Sequence, residues 1–261
     1  VMMRAVMSLS GGMDSTALLL KLLDEGYKVT CLTFDYGQKH HVEIERARMN
    51  IAYLSQNGID VEHIVIDISS AFKTLKSSLT DTEQSVPEGH YESEQMRQTV
   101  VPNRNAIFSS IVFGHALSTS STEDTDVIIA LGVHSGDHEV YPDCRPDFYK
   151  SLGHAFSIGN WDSDRVSFHL PYIEGNKKSI LLGAIESVES LGLDFDTVLR
   201  NTNTSYNPDS QGRSSGRSGA DVERILAFNE LGKIDPLEYV DSWDVVLNNA
   251  LNVAKSHEAS A

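Results

Sequence analysis

The sequence predicts an α/β fold: a Rossmann-like, doubly wound parallel sheet with a small helical and loop-rich C-terminal region. Three observations carry this expectation. Apolar, β-rich runs alternate with stretches of helical length and periodicity. That alternation implies βαβ units, and hence a mostly parallel sheet. A glycine-rich turn also sits between the first strand and the first helix.

In chain order, residues 4–9 form a short apolar strand ending in Ser10-Gly11-Gly12, and residues 14–24 carry a helical stripe through Ala17, Leu18, Leu20, Leu22 and Leu23. Strands follow at 28–34 (KVTCLTF) and 61–66, with a helix at 42–56 between them and a short helix at 69–76. Residues 80–99, with Pro87, Gly89 and several glutamates, read as a long surface loop, a length more typical of lids than of connections. A helix at 104–117 leads to a strand at 125–131 (TDVIIAL), a helix at 147–158, a strand at 166–170 and a helix at 179–191. Residues 200–220, rich in Asn, Ser, Gly and Arg, read as an irregular loop before helices at 221–228 and 243–255. No internal repeat is visible. The organisation expected is a main α/β domain over residues 1–199, with residues 200–261 packed on it.

Composition narrows the function. The 261 residues carry 21 basic and 37 acidic side chains, a formal net charge of −16. A surface this acidic is unsuited to direct binding of a nucleic-acid polyanion, although a small anion in a local pocket is compatible with it. Two cysteines supply neither a disulfide framework nor a four-thiolate metal site. No apolar run approaches the ~20 residues of a membrane helix, and the N-terminal residues do not resemble a secretory signal. The expectation is a cytoplasmic protein without a membrane partner.

In an open parallel sheet, ligands bind beyond the carboxyl ends of the strands, so chemistry is expected after Leu9, Phe34 and Leu131. After Leu9 comes Ser10-Gly11-Gly12-Met13-Asp14-Ser15-Thr16. Glycines there let the backbone turn tightly and present successive N–H groups to an anion, and the following helix adds its positive end. Ser10, Ser15 and Thr16 add hydroxyl donors. No lysine lies in the loop, which argues against the ordinary P-loop and its γ-phosphate chemistry. The plainer reading is a strand-to-helix turn with Asp14 as N-cap.

SGGMDST resembles the pyrophosphate loop of the ATP pyrophosphatase superfamily, whose members cleave ATP between the α and β phosphates and adenylate an oxygen. Four more stretches narrow the resemblance: Phe34-Asp35-Tyr36-Gly37-Gln38-Lys39-His40, Val101-Pro102-Asn103-Arg104-Asn105, Tyr141-Pro142-Asp143-Cys144-Arg145-Pro146-Asp147-Phe148, and Leu170-Pro171-Tyr172-Ile173 leading to Lys177. In this order, from Met3 to Phe228, they are similar to the 7-cyano-7-deazaguanine synthase (QueC) family, of adenine nucleotide alpha hydrolase or PP-loop type.

That resemblance implies an AMP-forming carbon–nitrogen ligase of queuosine biosynthesis. It would adenylate the carboxylate of 7-carboxy-7-deazaguanine, add ammonia to give the amide, and dehydrate the amide to the nitrile with a second ATP. It implies Asp14, Arg104, Asp143 and Lys177 as catalytic groups. ATP is expected on Ser8, Ser10, Gly11, Gly12, Met13, Asp14, Ser15, Thr16, Gln38, His40, Arg104 and Asn105. The nucleobase is expected on Tyr36, Asp137, Tyr141, Asp143 and Arg145, with Mg²⁺ held through Asp14 or Asp143 and a homodimer as the assembly. Each residue also has a plain reading: Asp35 a turn residue, His40 a solvated histidine, Cys144 a small buried thiol, Arg104 and Asn105 a helix start, Lys177 a solvated cation.

The chain departs from the family at its zinc site. The family pattern, close to SCYxxxxxGxxCGxCxxCxxR, here places Ser205, Ser215, Ser218 and Asp221 at the ligand positions, with Arg224 retained. Neutral hydroxyls cannot replace thiolates on Zn²⁺, so no zinc is expected. The family's DxSGYPDCR also appears altered, with His138-Glu139-Val140 after Asp137. Two other readings therefore stand beside the nitrile synthase. One is a QueC-like ligase that stops at the amide and uses an amine of a partner protein, as in anti-phage defence. The other is a non-catalytic nucleotide-binding module.

Overall fold

The computed structural model describes residues 2–38, 41–75, 100–134, 136, 141–203 and 208–260. Five strands, β1 (Arg4–Ser8), β2 (Lys28–Asp35), β3 (Glu62–Asp67), β4 (Val127–Ala130) and β5 (Val166–His169), form one sheet in the order β3-β2-β1-β4-β5. Every pairing is parallel, with Met7 opposite Cys31 on one side and Ala130 on the other. The helices are α1 (Met13–Asp24), α2 (Val42–Gln56), α3 (Ser69–Phe72), α4 (Arg104–Glu123), α5 (Pro146–Gly159), α6 (Lys177–Leu191), α7 (Phe195–Arg200), α8 (Gly219–Glu230) and α9 (Trp243–Ser260). Strand order reverses at β1, so the switch-point crevice opens where β1 ends, between β2 and β4.

Alternation along β1 sends successive side chains to opposite faces. Ala5 and Met7 join a core with Leu18, Leu19 and Leu22 of α1, Ala47 and Leu54 of α2, and Ile180, Leu181 and Ala184 of α6. Val6 joins the other core, with Val112, Phe113 and Ala116 of α4 and Tyr149 of α5. Covering both faces explains why β1 and β2 read as nearly continuous apolar runs rather than alternating ones. Arg4, also buried in β1, directs its guanidinium to Glu123 (3.0 Å) and to the Lys28 carbonyl (3.2 Å).

Most expected elements lie within two residues of their observed ends. The short helix expected at 69–76 ends at Phe72, and the last, expected at 243–255, runs on to Ser260. Two further differences have identifiable reasons. The helix expected at 104–117 continues to Glu123, carrying the Ser/Thr run at 118–122 within it. Ser120 is buried there and donates to the Thr125 carbonyl at 2.6 Å, and Asp124 stops the helix at φ 49°. The helix α7 was not anticipated. Its N-cap, Asp194, accepts from the Thr197 N–H at 3.0 Å, a local signal hidden in an acidic stretch. The expected loop at 80–99 lies outside the described residues.

The C-terminal helices contribute in two ways. Phe228 of α8 enters the main core, while Val222 and Ile225 of α8 pack with Val246 and Ala250 of α9. A lone parallel bridge between Ser214 and Tyr239 ties the loop before α8 to the segment after it. Among the described residues no helix is long and apolar enough to cross a membrane.

At the expected zinc positions, Ser205 lies outside the described residues, and Ser215, Ser218 and Asp221 have structural duties. Ser218 caps α8, its hydroxyl accepting from the Asp221 N–H at 3.1 Å, and Ser215 accepts from the Arg217 N–H at 3.1 Å. Asp221 is fully buried, and among the described residues neither carboxylate oxygen makes a hydrogen bond of good geometry, although the Ser218 hydroxyl and the Gly216 and Ser218 backbone lie close to it. Two hydroxyls and one carboxylate do not make a zinc site.

Burial pushes the Asp221 carboxyl up to about 6, the Ser218 hydroxyl and the Arg224 charge pulling against it. The folded chain therefore holds a proton there that the unfolded chain releases near pH ~4. Stability must fall as pH rises from about 4 to about 6 and stay lower above. Asp221→Asn is expected to remove that fall, raising stability at about pH 8 by on the order of 2–3 kcal/mol. Urea titrations at acid and alkaline pH check this, and a pH dependence that survives in Asp221→Asn refutes it.

Candidate active site

The phosphate loop forms where β1 meets α1. Gly11 adopts φ +78°, and a Cβ there would lie 2.0 Å from the Glu43 carbonyl oxygen, so the loop backbone rests directly on the first turn of α2. Its own carbonyl accepts from the Asn203 N–H at 2.8 Å, and Thr33 fixes the end of β1 by donating to the Leu9 carbonyl at 2.6 Å. Gly12 is the N-cap of α1, so the N–H groups of the first turn face the crevice, where an anion would satisfy them. The hydroxyls of Ser10 and Ser15 lie 3.0 Å apart, and the Ser15 oxygen also accepts from the Ser10 N–H. Thr16 departs from expectation. It is buried and donates to the Gly12 carbonyl at 2.7 Å, so its hydroxyl shapes the turn instead of facing a ligand.

Asp14 is not an N-cap. It sits in the first turn of α1 with its carboxylate oxygens 2.9 and 2.8 Å from the Lys177 ammonium, at the start of α6. The His134 Nε2 lies 3.3 Å from the same carboxylate. Burial alone would raise the Asp14 carboxyl, but Lys177 and His134 overcome it and hold the group well below the usual carboxylate range. His134 is 1% exposed, accepts from the Gly136 N–H through Nδ1 at 3.1 Å, and lies 3.9 Å from a Glu223 oxygen. The ring thus bridges the loop after β4 to α1 and α8.

With the His134 ring behind them, Asp14, Lys177 and Glu223 line a cleft of about 320 Å³. Its walls include Ser8, Ser10, Gly12, Met13, Asp14 and Ser15 on one side, and Tyr36, Glu43, Arg104, Asn105 and Lys177 on the others. The Phe34 and Phe108 rings stack 4.2 Å apart along it, and Arg104 donates to the Tyr36 hydroxyl at 3.2 Å while lying 5.5 Å over its ring. A second lobe of about 210 Å³ continues past Ser8, Ser15 and Asn105 toward Leu131 and Tyr149. Ser10, Asp14 and Ser15 of the loop and the Phe108 ring border both lobes, so polar and aromatic groups face the same space, an arrangement suited to a ligand with a charged and a planar part.

Several expected residues lie elsewhere. Gln38 is buried and occupied by its surroundings: it accepts from the Tyr36 N–H at 3.0 Å and donates to the Phe34 carbonyl and to Glu43. It builds the wall of the cleft and is not one of its lining residues. Tyr141, Asp143 and Arg145 sit on the turn before α5, outside the described lining. That turn is joined to the cleft by Asn105, whose amide reaches the Asp143 carbonyl (3.3 Å) and the Cys144 sulfur (3.4 Å). His40 and Asp137 lie outside the described residues. Sequence reasoning missed His134, Glu223 and Glu43. His134 follows β4 and Glu43 follows β2, so the strand-end rule alone could have found both.

Among the described residues no three His, Cys, Asp or Glu side chains come together as a metal site. With both oxygens on Lys177, Asp14 does not fit as an unencumbered Mg²⁺ ligand.

Residues 4–232 match the family described as queuosine biosynthesis protein QueC. The chain is 41% identical over 237 residues to the 7-cyano-7-deazaguanine synthase of Methanoregula boonei, covering 91% of this chain and 99% of that protein. It is 40% identical over 240 residues to that of Psychromonas ingrahamii, covering 92% and 99%. Among solved structures, NMN synthetase from Francisella tularensis aligns with a TM-score of 0.43 at 17% identity, covering 97% of this chain and 85% of that one.

Proposed function

This chain belongs to the queuosine biosynthesis protein QueC family, and from that premise we propose that it is a 7-cyano-7-deazaguanine synthase, an ATP-dependent ligase. The observation that carries the reading is the match at about 40% identity across nearly the whole length of relatives bearing that activity. The cleft supports it. ATP places its phosphates against the first-turn N–H groups of α1 and the Ser10 and Ser15 hydroxyls, where the helix end favours negative charge. Lys177 is the cation beside them, oriented by Asp14. The 7-carboxy-7-deazaguanine ring takes the aromatic side, and Arg104, held against Tyr36, pairs with its carboxylate.

A carboxylate oxygen is a poor leaving group, and its attack on the α-phosphorus makes it part of an AMP ester. Pyrophosphate leaves toward the N–H groups and Lys177, where the developing charge is stabilised. A nitrogen nucleophile then displaces AMP to give the amide. A second adenylation, on the amide oxygen, allows loss of that oxygen as AMP and yields the nitrile. Mg²⁺ shields the phosphates when it arrives with the nucleotide, as this cation is commonly held by substrate phosphates and water.

The test is incubation with ATP, Mg²⁺, 7-carboxy-7-deazaguanine and ammonia, read by mass spectrometry. The expected result is the nitrile, with two AMP formed for each. An amide that accumulates with a single AMP assigns the chain to the amide-forming reading, whose acceptor is a protein amine. The Ser215, Ser218 and Asp221 replacements are the observation that keeps this second reading in play. Binding of ATP without AMP formation would sink both. A homodimer, read by light scattering, is the assembly proposed.

A further inference from the structure

The reaction needs a proton acceptor that Asp14 and Lys177 do not provide, because each neutralises the other. We infer that Glu43, in the wall of the cleft, accepts the proton lost by the attacking nitrogen; this rests on the ligase reading above. Glu43 lies in the first turn of α2, and its backbone touches the phosphate loop at Gly11. It lines the same cleft as Lys177 and Arg104, and its side chain accepts from the Gln38 amide. The groups acting on it are Gln38 from the loop after β2, Arg104 from α4, and Asp35 at the end of β2, with Tyr36 beside them.

Burial pushes the Glu43 carboxyl up to about 7, with the Gln38 hydrogen bond and the Arg104 charge opposing and the Asp35 charge adding to it. A general base is most effective when its affinity for protons lies near the working pH. Gln38 fixes one oxygen, which explains why that glutamine is spent on the protein and not on the ligand. The step balances. The nitrogen lone pair forms a C–N bond at the acyl carbon of the adenylate, Glu43 takes a proton from that nitrogen, and the carbon–oxygen bond to AMP breaks with its electron pair. The products are the amide and AMP, and the proton on Glu43 returns to water.

The experiment follows pyrophosphate release and amide formation separately in wild type, Glu43→Gln and Glu43→Asp, at a fixed concentration of free ammonia. The wild-type amide rate should rise through about pH 7 as the carboxylate forms. Glu43→Gln should lack that limb and form amide roughly 10²-fold more slowly, while pyrophosphate release falls far less. Glu43→Asp, one methylene shorter, should keep the limb at a reduced rate. Hydroxylamine, a stronger nucleophile whose adduct loses its proton to water readily, should restore acyl transfer in Glu43→Gln. Equal losses of pyrophosphate release and amide formation, a persisting pH limb, or no rescue would each overturn the assignment. If wild type releases no pyrophosphate with the deazaguanine acid, the ligase reading falls and takes this role with it.

Discussion

Lys177→Ala is expected to lower AMP formation by roughly 10³-fold, the cost of removing a preorganised charge from where charge develops. Lys177 is the first residue of α6, and the cap below it is tight. Asn176 accepts from the Ser179 N–H at 2.9 Å, and the Ser179 hydroxyl accepts in return from the Asn176 N–H at 2.9 Å. Asp14 then grips the ammonium with both oxygens. Together these hold the charge beside the phosphate loop before any nucleotide arrives. The same substitution strands the Asp14 carboxylate beside His134, and its pH dependence reports this. In wild type the depressed Asp14 carboxyl contributes stability that is present above the unfolded value and lost only in strong acid, as pH falls through the folded one. Without Lys177, burial acts less opposed and the acid transition moves to higher pH. Because the cleft is open to water, the stability cost should be about 1–2 kcal/mol, below the 3–5 of a sealed pair. Lys177→Met combined with Asp14→Asn should recover that stability and not the activity. AMP formation within tenfold of wild type in Lys177→Ala would refute the role.

The contact between Asp14 and Lys177 spans 163 positions, and it shows where the sequence stops being legible. Periodicity identifies a strand or helix from its own residues. This is why β1, α2 and α6 lie close to their expected bounds, and why the ends of β1 and β2 were expected to carry chemistry. Motifs likewise say which residues gather at one edge of the sheet. They do not say how those residues divide between facing a ligand and holding one another. Asp14, Gln38 and Thr16 all belong to matched motifs, yet each spends polar atoms on Lys177, on the Tyr36 and Phe34 backbone, or on Gly12. Glu223 comes from α8, and only the packing of that helix brings it to the cleft, 3.9 Å from the His134 ring. Residue types show that the zinc positions lack thiolates, but they could not show that Asp221 would be sealed without a hydrogen bond of good geometry.

What holds that region instead sets the second large expectation: Asp235→Ala should destabilise the chain by about 3–5 kcal/mol. Arg224 and Asp235 are both completely buried and paired through two hydrogen bonds of 2.7 and 2.9 Å. The remaining guanidinium donors reach the Thr202 hydroxyl (2.6 Å) and the Leu199 carbonyl (3.1 Å) at the end of α7. Asp235 also accepts from the Tyr239 hydroxyl at 2.7 Å and the Leu237 N–H at 2.9 Å. One ion pair therefore ties α7, α8 and the segment leading to α9. Arginine cannot relieve its burial by losing a proton, so removing Asp235 leaves an uncompensated charge. For a chain of this size the loss corresponds to a fall in Tm of roughly 6–20 °C. The exposed pair of Arg217 and Asp241, 3.8 Å apart, is the control, and breaking it should change stability by less than about 1 kcal/mol. The damage should also reach the cleft. Thr202 adjoins Asn203, whose N–H holds the Gly11 carbonyl of the phosphate loop at 2.8 Å. Below its melting point Asp235→Ala should therefore bind ATP more weakly than wild type, whereas Arg224→Met with Asp235→Leu, which removes both charges, should melt well above the single variant. A single variant as stable as wild type would mean that Asp235 neutralises nothing that the fold depends on.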